Sequence, residues 1–124
     1  MTRSRDLGDN DNRQRAGFTV GGSGSWRIDE VTNTLECWGY VTGILPLGPT
    51  PVVLPKTYKT SDYVTTVTGT YNNNTYAALG AVQGASQTPT GFLLSNLAVE
   101  SNGAIIWSGD SYFWRTIGEW DGIS

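Results

Sequence analysis

Tyr63-Val64-Thr65-Thr66-Val67-Thr68-Gly69-Thr70-Tyr71 is the stretch on which the fold turns. Valine and threonine branch at Cβ, which restricts their rotamers in a helix and suits an extended, pleated chain. Tyr63, Thr65 and Val67 fall on one face; Val64, Thr66 and Thr68 fall on the other. Outward from this strand the same grammar repeats. Asn72-Asn73-Asn74 is a turn tip, because asparagine tolerates left-handed backbone and bonds its own main chain. Tyr76 to Val82 reads as the return strand of a hairpin. On the N-terminal side, Trp26 and Ile28 alternate with Arg27 and Asp29, and Val31-Thr32-Asn33 turns the chain. Leu35, Cys37 and Gly39 then share one face, with Trp38 and Tyr40 on the opposite face. Val52-Val53-Leu54 is a short apolar run closed by Pro55. Phe92 to Val99, Ala104 to Trp107 and Tyr112 to Ile117 complete the pattern, with Ser101-Asn102-Gly103 as a hairpin turn. No window has helical periodicity. Short strands separated by turn residues predict an antiparallel β-sandwich of about eight strands.

The chain has 124 residues, enough for one domain. It carries five tryptophans and six tyrosines but no histidine and one cysteine. Rigid amphipathic rings suit packed cores and recognition surfaces. Histidine, the commonest general acid–base and metal ligand near neutral pH, is missing. No serine or cysteine therefore has an imidazole to activate it. Asp29 and Glu30 are adjacent on a strand and face opposite ways, so they are a poor pair for glycoside hydrolysis. Glu119 and Asp121, near the C-terminus, are the other carboxylates weighed for that chemistry; no cluster has the spacing of an EF-hand or zinc site, and Asp110 with loop carbonyls is the one open option for Ca²⁺. The expectation is a protein without catalysis, cofactor or bound metal. Cys37, inside an apolar run, reads as a small buried hydrophobe.

Only 15% of residues are charged and 38% are apolar, so the surface is neutral and polar and the core small. A small core favours subunits that share apolar faces. Net charge is −3, which gives no general footprint for nucleic acid. No stretch is long and apolar enough to insert in a membrane, and no signal peptide is recognisable.

The first 24 residues are a different material. Arg3, Arg5, Arg13 and Arg15 alternate with Asp6, Asp9 and Asp11, and Leu7 is the single large aliphatic side chain before Ala16. From Ala16 onward the balance is four basic to eight acidic residues. Gly21-Gly22-Ser23-Gly24 is a flexible hinge. Residues 1–24 read as an extended docking arm that orders against a partner, with Phe18 and Val20 able to dock as a short strand. Residues 25–124 read as the β-sandwich.

The order of the segments resembles a known family. Thr34-Leu35-Glu36-Cys37-Trp38-Gly39 ends on a Trp-Gly pair. Val53-Leu54-Pro55-Lys56-Thr57-Tyr58 precedes the long strand, Thr90-Gly91-Phe92 enters another, and Trp114-Arg115-Thr116-Ile117-Gly118 closes the domain. This resembles the β-sandwich tip domain at the C-terminus of phage tail fibres, and distantly the H-type lectin domains. Thr2-Arg3-Ser4-Arg5-Asp6-Leu7 is also similar to the openings of phage tail-associated proteins. The resemblance implies a homotrimeric head domain on the virion, made in the host cytoplasm, that contacts the host surface. Here the arm replaces a long shaft, and Glu119-Trp120-Asp121-Gly122-Ile123-Ser124 is an extra tail.

The expectation is a virion protein anchored through Arg3, Arg5, Asp6, Leu7, Arg13 and Arg15, which bind other virion proteins. Its candidate contacts to a host glycan or protein are Tyr71, Asn72, Asn73, Asn74 and Tyr76, with Tyr112 as a neighbour. Consecutive amides cannot be satisfied inside a small core, and phenols beside them offer sugar-binding faces. A decoration or cementing protein without a receptor is the alternative, and a stand-alone carbohydrate-binding lectin a third reading.

Overall fold

The structure is a computed structural model that describes residues 14–19, 24–42, 49–69, 76–107 and 111–124. Arg3, Arg5, Asp6, Leu7 and Arg13 of the expected arm, and Tyr71, Asn72, Asn73 and Asn74 of the expected contact turn, lie outside the described residues.

The described chain is all β, apart from one 3-10 turn at Gly84–Ser86. Its strands are β1 (Gln14–Thr19), β2 (Gly24–Asp29), β3 (Thr34–Thr42), β4 (Thr50–Val53), β5 (Val64–Gly69), β6 (Tyr76–Val82), β7 (Gly91–Glu100), β8 (Ile105–Trp107) and β9 (Ser111–Glu119). Each of the eight expected segments is a strand. The ninth, β1, lies within the segment read as an arm. Two antiparallel sheets form, one in the order β1-β2-β3-β9-β5 and the other in the order β4-β7-β6 with β8 also on β7. β4 and β8 pair with opposite ends of the long strand β7.

One connection differs from its reading. β5 pairs with β9 and β6 pairs with β7, so the two are not a hairpin. β5 and β6 belong to different sheets and lie against each other across the core. The β2–β3 and β7–β8 turns are hairpins as read. In the first, Asp29 Oδ1 accepts from the Val31 and Thr32 amides at 2.9 and 3.3 Å, and Asn33 takes a φ of 57°. Asparagine adopts that left-handed conformation at small cost.

The core lies between the sheets. Ile28, Leu35, Cys37, Tyr112 and Trp114 come from the five-stranded sheet, and Val52, Phe92 and Leu94 from the other. Tyr58, Tyr63 and Trp120 close one end, with the two tyrosine rings stacked 4.3 Å apart. The short sequence motifs have packing reasons. A Cβ on Gly39 would stand 2.9 Å from the ring of Trp114, and one on Gly118 would stand 2.6 Å from Cβ of Tyr63. Gly39 makes room for the Trp114 ring on the strand, and Gly118 for the close approach of the Tyr63 main chain and Cβ.

The C-terminal tail is part of this core. Trp120 is buried, its amide donates to Asn33 O at 2.9 Å, and its indole donates to Ser124 Oγ at 3.2 Å. Thr57 donates its amide to the same hydroxyl at 3.0 Å. β1 is held at the edge of the sheet by register pairing with β2 and by Gly17 beneath the Trp26 ring. Arg15 pairs with Glu30 at 2.8 Å and sits 5.3 Å over the Trp120 ring. The sheet therefore begins at Gln14, before the hinge that bounds the expected arm. Among the described residues no helix is long and apolar enough to cross a membrane.

Candidate functional site

Strand alternation gives the sandwich two unlike outer faces. On the five-stranded sheet, register sets Arg27 of β2 opposite Glu36 of β3, with Glu36 opposite Ile117 of β9. Arg115, two positions from Ile117, lies diagonally across from Glu36. Arg27 reaches one carboxylate oxygen of Glu36 and Arg115 reaches the other. The Glu36 side chain is only 8% exposed, whereas Arg27 and Arg115 are 61% and 54% exposed. A buried carboxylate is thus neutralised from above by two half-solvated guanidiniums, the arrangement that a desolvated charge requires.

Around this triad lies a groove of about 370 Å³. Thr32 and Thr34 form one wall, with the Thr32 hydroxyl donating to that of Thr34 at 2.9 Å. Ile117 forms another wall, and Asp29 stands on the rim. Trp38 lies beside Arg27, whose guanidinium is 6.0 Å from its ring centre. Farther along the same face, Tyr40 and Phe113 meet edge to face at 5.6 Å, with Tyr40 65% exposed.

The outer face of the other sheet has no such chemistry. Pro51, Val53, Leu93, Leu97, Val99, Ile105 and Trp107 occupy outward positions of β4, β7 and β8. Val53 and Ile105 are 66% and 63% exposed. Glu100, at the end of β7, is the sole charged residue in the sequences of its four strands.

Of the candidate contacts in the sequence, Tyr112 requires correction. It is wholly buried, and its hydroxyl donates to Leu97 O at 2.6 Å, tying the two sheets together. It is a core residue, because β9 is a central strand and position 112 shares the inward face with Trp114 and Thr116. Tyr76 opens β6 opposite Glu100. Arg15, expected in a virion anchor, is in β1 and bonded within the domain.

Several of the carboxylates weighed for catalysis are engaged structurally. Asp29 caps its turn, Glu30 pairs with Arg15, and Glu119 lies 3.4 Å from Lys59. Asp121 Oδ1 accepts from the amides of Ile123 and Ser124. Among the described residues no group of three or more acidic, cysteine or histidine side chains converges on a metal position. Cys37 is buried beside Tyr58 and Thr116, whose hydroxyls are 2.7 Å apart. Burial pushes its thiol from an ordinary 9.0 up to about 11, against the pull of those hydroxyls.

The Arg27–Glu36–Arg115 site is absent from the sequence reading. Its one trace is a glutamate in an otherwise apolar run, Leu35-Glu36-Cys37-Trp38. The partners are 9 and 79 positions away, and only strand register brings them together.

No protein-family model and no curated protein matches this chain. Solved structures do. An N-truncated R2-type pyocin tail fibre matches with a TM-score of 0.54 and 20% identity, covering 85% of this chain and 38% of the fibre chain. The C-terminal portion of the Pseudomonas aeruginosa R2 pyocin fibre matches at 0.53 and 16%, covering 85% and 26%. The corresponding R1 pyocin fibre portion matches at 0.51 and 18%, covering 85% and 28%. The fold is thus one found in tail fibres, and the chain spans between about a quarter and two fifths of the length of those fibre structures.

Proposed function

We propose that this protein is a tail-fibre-like component of a phage particle whose β-sandwich attaches to the host surface. The observation that carries the reading is the contrast between its outer faces. One is apolar and free of charge, as a surface shared between copies would be. The other presents exposed aromatics and a pair of arginines beside a groove, as a recognition surface would. The fold shared with pyocin tail fibres supports the same reading. In it, the apolar sheet faces inward in a homotrimer, the five-stranded sheet faces outward, and residues before β1 dock on other virion proteins. The Asn72-Asn73-Asn74 turn with Tyr71 and Tyr76 is a second outward contact.

The test is adhesion. Fluorescently labelled full-length protein, incubated with host cells, should decorate their surface and compete with the intact particle for attachment. A protein that assembles onto particles but neither decorates cells nor competes is a decoration protein, and the attachment reading then fails. The chemistry expected at the surface is binding alone: released sugar fragments on incubation with host polysaccharide would overturn that part.

A further inference from the structure

The groove over Glu36 has features that narrow its ligand. From Ala16 onward the chain has four basic residues, and two of them, Arg27 and Arg115, stand here. They share one carboxylate, so the triad has a net charge of +1 in a body that is otherwise acidic. Each guanidinium has five N–H donors in a fixed fork, and Glu36 accepts through one oxygen from each arginine. Donor pairs therefore face the solvent, held in place from below by a carboxylate with almost no exposure of its own. That is preorganised recognition of a planar anion. The Thr32 and Thr34 hydroxyls beside them are matched to hydroxyl groups, and the exposed edge of Ile117 to a C–H face. Asp29 on the rim keeps its negative charge, because amide hydrogen bonds stabilise a carboxylate without neutralising it, so the groove as a whole is formally neutral and an anion is drawn to its arginine side.

We infer that the groove formed by Arg27, Arg115, Thr32, Thr34 and Ile117 binds an acidic saccharide, with the sugar carboxylate on the two guanidiniums and the ring hydroxyls on the threonines. This rests on the attachment reading only for its biological use; the site itself is a statement about chemistry.

Trigalacturonic acid is a suitable probe, with its methyl ester as the neutral counterpart and inorganic phosphate as the bare anion. Titrated into full-length protein, the acid should bind and change the fluorescence of Trp38, which flanks Arg27. The ester and phosphate should bind at least tenfold more weakly. Added salt should weaken the acid, as expected for a half-exposed charge contact. Arg115→Gln and Arg27→Gln should each lower affinity about tenfold, and Arg115→Lys should recover only part of it. Lys59→Gln, an exposed charge removed outside the groove, should leave affinity unchanged. Equal binding of acid and ester, equal binding of phosphate, or no binding of the acid by the wild type overturns the inference. These comparisons use wild-type protein, so they stand even if an arginine variant fails to fold. Cells still decorated by a folded Arg27→Gln/Arg115→Gln variant would remove this site from attachment but keep the attachment reading. Acid binding without any cell decoration would do the reverse.

Discussion

At the scale of single residues, burial rather than local chemistry sets behaviour. Cys37 has hydroxyl neighbours that favour its thiolate, yet removal from water dominates and the thiol stays protonated to about pH 11. Thiol reagents at pH 8 should therefore leave it unmodified in the folded protein and modify it rapidly in urea. The sign of the stability effect follows. The unfolded chain releases this proton near pH 9 and the folded chain near 11, so stability falls as pH rises through that window, by about 2–3 kcal/mol in full. Tyr58 and Tyr63, also raised chiefly by burial, add to the fall from about pH 10 upward, where the phenols of the unfolded chain ionise. Urea midpoints should drop between pH 9 and 11, and Cys37→Ala should flatten that slope. Unchanged midpoints would mean that the thiol is more exposed than its surroundings indicate. Gly118 is the other sensitive residue. Because the Cα and Cβ of Tyr63 lie within 3.0 Å of a new methyl group, side-chain rotation cannot relieve the clash. Gly118→Ala should cost about 1–3 kcal/mol by chemical denaturation.

Among elements, β1 separates the domain from whatever precedes it. It covers one edge of the β2–β3 hairpin and places Gly17 under Trp26, and its Arg15 bridges to Glu30 and Trp120. Removing residues 1–12, which precede β1, should leave the melting temperature within about 2 °C of the full chain. Removing residues 1–19 should lower it by several degrees, because a strand's pairing and the cover over Trp26 go together. If particle docking is lost with the shorter deletion, the anchor lies before β1; if only with the longer, β1 itself is the anchor. The strands were legible from a two-residue period, as in β2, β3 and β5, or from a short apolar run bounded by turn residues, as in β4. The placement of β5 and β6 in different sheets was not, since antiparallel neighbours in sequence suggest a hairpin whether or not their edges meet.

For the whole molecule, the decisive quantity is the number of chains. In the proposed homotrimer, other copies cover the apolar face of β4, β7 and β8 and exclude it from solvent. Light scattering on full-length protein should give about three chains at micromolar concentration. Val53→Lys with Ile105→Lys should give a folded monomer, because both side chains are mostly exposed within one chain. A wild-type monomer would refute the shared face, and a trimer unaffected by the double variant would place the interface elsewhere.

The sequence by itself determined eight of the nine strands, which residues share a face in β2, β3 and β5, the two hairpin turns and the burial of Cys37. All of these are local, set by Cβ branching, the alternation of the pleat and the left-handed tolerance of asparagine and glycine. Tertiary structure alone decided the rest. Which strand lies beside which is fixed by closure of the common core over Trp114, and no local residue preference encodes it. That closure buries Tyr112, which the sequence offers equally to a surface, and makes the extra tail at Trp120 a core element. It also brings Arg27, Glu36 and Arg115 together across three strands. A charge cluster assembled by register has no signature along the chain, because its energy resides in distances between residues that the sequence keeps far apart.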